Sequence, residues 1–150
     1  MATLDRLGKR HLWQIAIKPG RPMAFGQIGD CVVIGLPGNP VAVFVCFLMY
    51  VYPMLRALGG VPWREPRRWQ LPSAFESPTR KLGRREFWRG SIIELNGTMA
   101  VEKFARDGSG LISGLRAADG LIEVTEAVTS VRRGDMLQFI PFTEFGISNH

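Results

Sequence analysis

Residues 31–58 read Cys31-Val32-Val33-Ile34-Gly35-Leu36-Pro37-Gly38-Asn39-Pro40-Val41-Ala42-Val43-Phe44-Val45-Cys46-Phe47-Leu48-Met49-Tyr50-Val51-Tyr52-Pro53-Met54-Leu55-Arg56-Ala57-Leu58, and no charged side chain lies between Cys31 and Leu55. Cys31 to Leu36 is an apolar run bounded by turn formers, the pattern of a strand buried on both faces. Pro37-Gly38-Asn39-Pro40 stops it. Asn39 suits an N-cap, because its side chain can accept from the first helical N–H groups. Pro40 suits the first helical position, where a missing N–H costs nothing. A helix is therefore predicted from Val41 to about Leu58, with Gly59-Gly60 as its stop. Pro53 conflicts with it, since an interior proline removes a backbone bond and kinks or divides a helix. The charge-free stretch raises a membrane span, but Val41 to Leu55 supplies only about 15 residues where roughly 20 are needed. A helix apolar all round is instead expected to pack on both sides inside a larger protein.

Upstream, Leu12 to Ile17 reads as a short strand that ends in the turn Lys18-Pro19-Gly20-Arg21-Pro22. Met23 to Ile28 reads as a second strand, with Gly29-Asp30 as a turn. Downstream, Trp63 to Arg67 reads as a linker, and beyond it the pattern is all-β. Arg84–Leu95 and Thr98–Ala105 flank Asn96-Gly97, a type I′ hairpin signal. Leu121–Thr125 and Met136–Ile140 read as two more strands, separated by a turn at Arg133-Gly134-Asp135, and residues 107–118 as a loop with one helical turn. Several short strands at this spacing predict a small barrel or sandwich. The expected organisation is residues 1–62 as part of an α/β unit and 63–150 as a β-barrel domain, an α/β plus all-β fold class.

Composition excludes several classes. The 150 residues are 46% hydrophobic with nine Phe and four Trp, which argues against disorder, while 17 Gly and 10 Pro argue against a coiled coil. The 19 basic against 13 acidic residues give a formal +6, which favours anionic partners. Much of the excess lies in Arg64, Arg67, Arg68, Arg80, Lys81, Arg84, Arg85 and Arg89, set against Glu65, Glu76 and Glu86. With Trp63, Trp69 and Trp88 interleaved, that stretch has the make-up of a nucleic-acid stacking surface. Core packing beside a solvated basic face is the plainer reading, and nucleic acid is not an expected partner. Cys31 and Cys46 lack metal-site spacing and are expected to be buried free thiols. His11 and His150 lie near the termini, and Ser109, Ser113 and Asp119 have no histidine to complete a hydrolase triad. The first twenty residues are mixed and charged, without the apolar core of a secretory signal, so a cytoplasmic setting is expected.

The chemistry-bearing feature is the pair of Gly/Pro loops. A strand feeding such a loop and then a helix N-terminus is an anion-binding geometry, because N–H groups and the positive end of the helix dipole converge there. Lys18-Pro19-Gly20-Arg21-Pro22 would bring two cations to the same rim. Two structural turns with incidental charges are the alternative.

K-P-G-R-P followed by M-A-F-G and V-I-G-L-P-G-N-P-V-A resembles the K-P-G-K-P…F-G…G-L-P-G-N-P-V-S signature of the molybdopterin molybdenumtransferase family, the MoeA and gephyrin E-domain enzymes. R-D-G-S-G-L-I-S-G-L-R-A-A-D-G-L-I-E-V, Arg106 to Val124, is similar to that family's C-terminal domain. The resemblance implies a truncated α/β molybdopterin-binding unit followed by a small β-barrel domain. It implies a part in molybdenum cofactor biosynthesis, in which molybdate is inserted into adenylylated molybdopterin with the help of Mg²⁺. Lys18, Pro19, Gly20, Arg21, Pro37, Gly38, Asn39 and Pro40 would then line the site for molybdopterin and molybdate. Two positions depart from the signature: Arg21 stands where Lys is commoner, and Ala42 where Ser is. The family's upstream S-G-G-x-S and G-D-x-D stretches and its metal-holding acids are not in these residues. The stretch is therefore expected to be incomplete for catalysis alone, and to act as a homodimer or with an N-terminal partner half. A basic nucleic-acid-binding barrel and a non-catalytic docking subunit are the alternative functions.

Overall fold

A computed structural model of the chain describes residues 2–78, 80, 82–104 and 117–148. The chain forms two compact units, Met1–Arg64 and Glu65–His150.

The first unit combines helices with a small sheet. Helix α1 (Ala2–Leu7) leads into β1 (Lys9–Leu12), followed by the two-residue β2 (Ile17–Lys18), β3 (Ala24–Ile28) and β4 (Cys31–Gly35). The sheet order is β1-β3-β4, antiparallel throughout. β3 and β4 form a hairpin with Ile28 opposite Cys31 and Ala24 opposite Gly35, turning at Gly29-Asp30 as the sequence indicates.

Two strand expectations need correction. Leu12–Ile17 is not a strand; the ladder lies at Lys9–Leu12, and only Ile17–Lys18 is extended beyond it. β4 is not buried on both faces: Cys31 is exposed and the following four residues are half-buried. The reason is topological. β4 is the edge of an antiparallel sheet among the described residues, so its apolar run lacks the second neighbour its composition anticipates.

Asn39 caps the next helix as expected, its Oδ1 accepting from the Val41 N–H at 3.0 Å and the Ala42 N–H at 3.2 Å. The helical stretch continues from Pro40 to Leu58 in three parts: α2 (Pro40–Cys46), one wide π turn (Phe47–Val51) and α3 (Tyr52–Leu58). The π turn resolves the Pro53 conflict. With the Tyr52 N–H reaching back to the Phe47 carbonyl, the local bonding is i to i−5. The wider turn makes room for the proline ring, and Pro53 sits in the first turn of α3, where no N–H is needed. At 19 residues the stretch is long and apolar enough, by length and composition only, to cross a membrane.

The second unit is a β structure. β5 (Trp69–Pro72), β6 (Arg85–Leu95), β7 (Thr98–Lys103), β8 (Gly120–Val124) and β9 (Met136–Pro141) pair antiparallel in the order β7-β6-β8-β9-β5, and a 3-10 turn (Phe142–Phe145) follows. Asn96 at φ 53° and Gly97 at φ 74° make the β6–β7 turn the type its sequence announces. Leu71, Trp88, Val101, Ile122, Val124, Val131, Leu137 and Phe139 form one core, with Phe75 edge-on to Trp88. The two outer strands meet just past β5, where Ser73 bridges Val101 and the Ala74 N–H donates to the Val101 carbonyl at 2.8 Å. That is one bridge and not a ladder. The loop expected at 107–118 lies outside the described residues except for its last two positions, as does most of the Arg106–Val124 block.

Candidate functional site

The hairpin register positions the two Gly/Pro loops. Because Ala24 pairs with Gly35, the chain that enters β3 through residues 18–23 and the chain that leaves β4 through Leu36–Asn39 emerge at the same end of the sheet. The entering loop is closed on itself: the Arg21 carbonyl accepts from the Ile15 N–H at 3.1 Å and the Met23 N–H at 3.0 Å. It is also laid against the helix. Gly20 is buried at φ 118°, and its carbonyl accepts a weak bond from the Cys46 thiol at 3.8 Å. A Cβ at position 20 would come within 2.4 Å of Cys46 Sγ and 3.1 Å of Ile17 Cδ1, so only glycine fits both the conformation and the space. Burial pushes the Cys46 thiol up to about 11, leaving it neutral at physiological pH.

Lys18 and Arg21 are exposed on either side of that anchor, Pro19 is half-buried, and the Lys18–Pro19 peptide is cis. In the other loop Pro37 is buried while Gly38, Asn39 and Pro40 are exposed. Open space lies over the Gly38 Cα, so a ligand can approach its backbone closely. Gly20 touches the helix at Cys46, six residues after Pro40. With a rise of about 1.5 Å per residue, the two loops flank a helix segment roughly 9 Å long.

One sequence expectation is corrected here. The helix N-terminus does not hold out free donors. Asn39 Oδ1 takes the Val41 and Ala42 N–H groups, the Asn39 carbonyl takes Val43 at 2.9 Å, and Pro40 has none. A short oxyanion at this rim would be met by the exposed cations and the Gly38 turn, with the helix dipole adding only its field.

In the arginine-rich stretch Arg64 and Arg67 are exposed, whereas Arg68, Arg80 and Arg85 are tied into ion pairs. Glu123, buried on β8, receives Arg68 Nε at 2.5 Å and Arg85 Nη1 at 2.9 Å, and Arg85 also pairs with Glu126 at 3.1 Å. Arg80 is buried, lies 3.6 Å from Glu86, and donates to the Thr125, Val128 and Arg84 carbonyls. Trp88 is buried beneath Arg80 and Lys103 and donates to Glu86 at 2.8 Å, so it presents no stacking surface. For Arg68, burial opposes the charge, but the Glu123 and Glu65 carboxylates outweigh it and leave its pKa raised. For Arg85 the hydrogen bond to Glu126 raises it. Glu126 in turn is lowered by its own backbone N–H first and by Arg85 second. Glu123 and Glu126 lie about 40 to 55 residues from these arginines, which is why local charge counting missed them. Asp119 is likewise structural: Oδ2 accepts the Ile92 N–H at 2.8 Å.

Residues 74–142 match the family described as MoeA C-terminal region (domain IV), and residues 2–57 match the family described as probable molybdopterin binding domain. The chain belongs to the MoeA family, as a C-terminal portion. Within that family it is 32% identical over 147 residues to the molybdopterin molybdenumtransferase of Haemophilus influenzae, covering 94% of this chain and 35% of that protein. It is also 32% identical over 127 residues to molybdopterin molybdenumtransferase 2 of Mycobacterium tuberculosis, covering 83% of this chain and 30% of the relative. A crystal structure of the MoeA protein of Pyrococcus horikoshii superposes with a TM-score of 0.73 at 27% identity, covering 94% of this chain and 34% of the other. A molybdenum cofactor biosynthesis protein from Pyrococcus furiosus gives 0.70 at 28% identity, over 89% of this chain and 46% of its own. This MoeA-family chain thus spans about a third of the length of the curated relatives it matches.

Proposed function

We propose that the chain takes part in molybdenum cofactor biosynthesis by supplying one wall of the pocket in which molybdate is joined to adenylylated molybdopterin. The observation that carries this reading is the hairpin register, which brings the Lys18–Pro22 and Pro37–Pro40 loops to one end of the sheet, with Gly20 fixed on Cys46. Lys18 and Arg21 are the groups to meet the oxyanions of molybdate or of the pterin phosphate, Lys18 as a point charge and Arg21 as a planar fork. Pro19 and Gly20 hold those cations in place, while Pro37, Gly38, Asn39 and Pro40 shape the opposite wall. The chemistry asked of these residues is electrostatic: binding the anions and holding them in one orientation, with no nucleophile from the protein.

No three His, Cys, Asp or Glu side chains come together among the described residues. That donor set does not fit a divalent cation, so no step is routed through Mg²⁺ in these residues. Residues 1–62 act as the pocket unit and 63–150 as a barrel-like C-terminal domain, in the cytoplasm, with turnover requiring a homodimer or an N-terminal partner half. The Ser73–Val101 bridge supports the barrel reading, since it joins the outer edges of the sheet.

The test is equilibrium binding of molybdopterin to the purified chain, with and without molybdate. Saturable binding that weakens at least tenfold in Lys18→Ala and in Arg21→Ala, with unchanged circular dichroism, is the expected result. Equal binding by chain and variants would sink the assignment of these loops.

A further inference from the structure

The residue that follows β1 is a tryptophan. Leu12 is the last paired residue of that strand and stands opposite Phe25, which is next to Ala24, the first residue of β3. Trp13 therefore lies at the end of the sheet from which both Gly/Pro loops emerge. Its segment is also tied to the cationic loop. The Ile15 N–H donates to the Arg21 carbonyl at 3.1 Å, and buried Ile17 packs against Gly20. Two residues of chain, spanning at most about 7 Å, separate Trp13 from Ile15. Trp13 is 39% exposed, and no ring, cation or hydrogen-bond partner engages its indole among the described residues. Trp88, by contrast, is buried between Arg80 and Lys103. One rim thus carries an exposed indole beside two exposed cations, Lys18 and Arg21.

We propose that Trp13 is a binding residue of this rim, its indole face stacking on the fused nitrogen heterocycle of a phosphate-bearing ligand whose oxyanion meets Lys18 and Arg21. The two kinds of group read different halves of such a molecule. Cations recognise the charged end and are blind to what it is attached to, so a bare inorganic oxyanion would satisfy them equally. An aromatic face takes a planar base through its π surface and ignores the charge. Together they select a nucleotide-like or pterin-like molecule over a small oxyanion. The inference rests on the pocket reading above and adds to it the ring half of the ligand. Adenylylated molybdopterin offers two such rings, adenine and pterin, and both share the chemistry that an indole recognises.

The experiment is calorimetric titration of the purified chain with three separate probes: molybdopterin, AMP and molybdate alone. Trp13→Ala should weaken at least one of the two ring-bearing probes by about fivefold or more, and the probe that is weakened names the ring. Molybdate binding should stay within about twofold, because that anion has no ring to stack. Trp13→Phe should restore most of the loss, whereas Trp13→Leu, an apolar side chain without a π face, should not. Circular dichroism of each variant should remain that of the parent, since Trp13 is exposed and follows the last pair of β1. Lys18→Ala should weaken all three probes. Loss in Lys18→Ala with none in Trp13→Ala overturns the stack and leaves the pocket reading standing. No loss in either variant, or no saturable binding by the parent, overturns both. Rescue by leucine as complete as by phenylalanine, or an equal loss of molybdate binding in Trp13→Ala, assigns Trp13 to packing of the loop and overturns the stack.

Discussion

Gly20→Ala tests whether the cationic loop is held as described. The added methyl meets two obstacles. Its backbone sits at φ 118°, where an L-residue is strained by about 1–3 kcal/mol. Its Cβ falls 2.4 Å from Cys46 Sγ, an overlap whose relief costs a further 1–3 kcal/mol or about that. Together the loss is about 2–6 kcal/mol, most of what a unit of this size possesses. Cys46→Ala alone removes one small buried group, at about 1 kcal/mol. In the double variant the strain persists but the overlap vanishes, so the two changes should couple favourably by about 1–3 kcal/mol. Urea titration followed by circular dichroism at 222 nm is the assay, since α1, α2 and α3 all lie in the first unit. A stabilising osmolyte in all samples keeps the weakest variant folded at the start. Additivity within about 0.5 kcal/mol would refute the contact between loop and helix. A neutral Gly20→Ala would refute the backbone argument as well.

Further expectations concern the thiols, the ion pairs and the second unit. One thiol per chain, Cys31, should react promptly with a disulfide reagent at pH 8, and Cys46 only on unfolding; prompt titration of both would contradict the burial of Cys46. Because the folded Cys46 pKa is raised from 9.0 to about 11, its share of stability is intact below pH 9 and is lost as pH climbs through that interval. Glu126 is lowered from 4.5, so its contribution is present above that value and fades as pH falls below it. The stability difference between the parent and Glu126→Gln, read by urea titration, should therefore shrink from pH 6 to pH 3. Glu123→Ala should destabilise the second unit by about 2 kcal/mol in thermal melts. That is less than a fully buried pair costs, because Arg68 and Arg85 can turn to water once released. Asp119→Ala leaves the Ile92 N–H without its acceptor and should cost about 1–2 kcal/mol, with exchange at Ile92 accelerated.

What the sequence disclosed were features encoded within a few residues. Asn39 before Pro40 announced a capped helix, and Asn96-Gly97 announced its turn through a backbone requirement that few other residues meet. Gly59 ended the helix where a stop was expected. What it hid depends on distant partners. Arg68 and Arg85 look like surface charge until β8 folds Glu123 between them. Cys31 reads as buried because its neighbours are apolar, yet burial also requires a strand alongside, and among the described residues β4 has one on a single side. The helix N-terminus reads as an anion site from strand, loop and cap alone, but the cap that starts the helix also consumes its donors. The wide turn at Phe47–Val51 could be inferred only as a conflict at Pro53, since a proline signals trouble in a helix without saying which remedy is adopted.

That wide turn also bears on how the segment can be compared with its relatives. A π turn accommodates one more residue than the α-helical turn it replaces, so it is an insertion carried inside a helix with no loop to mark it. A relative with an unbroken α-helix here would align with this one only if a single-residue gap were opened between Phe47 and Tyr52. Ungapped superposition on sequence would rotate every later side chain of the helix by about a hundred degrees, placing Leu55 and Leu58 on the wrong side. Ancestry and facing are thus read correctly only when the length of that turn is counted.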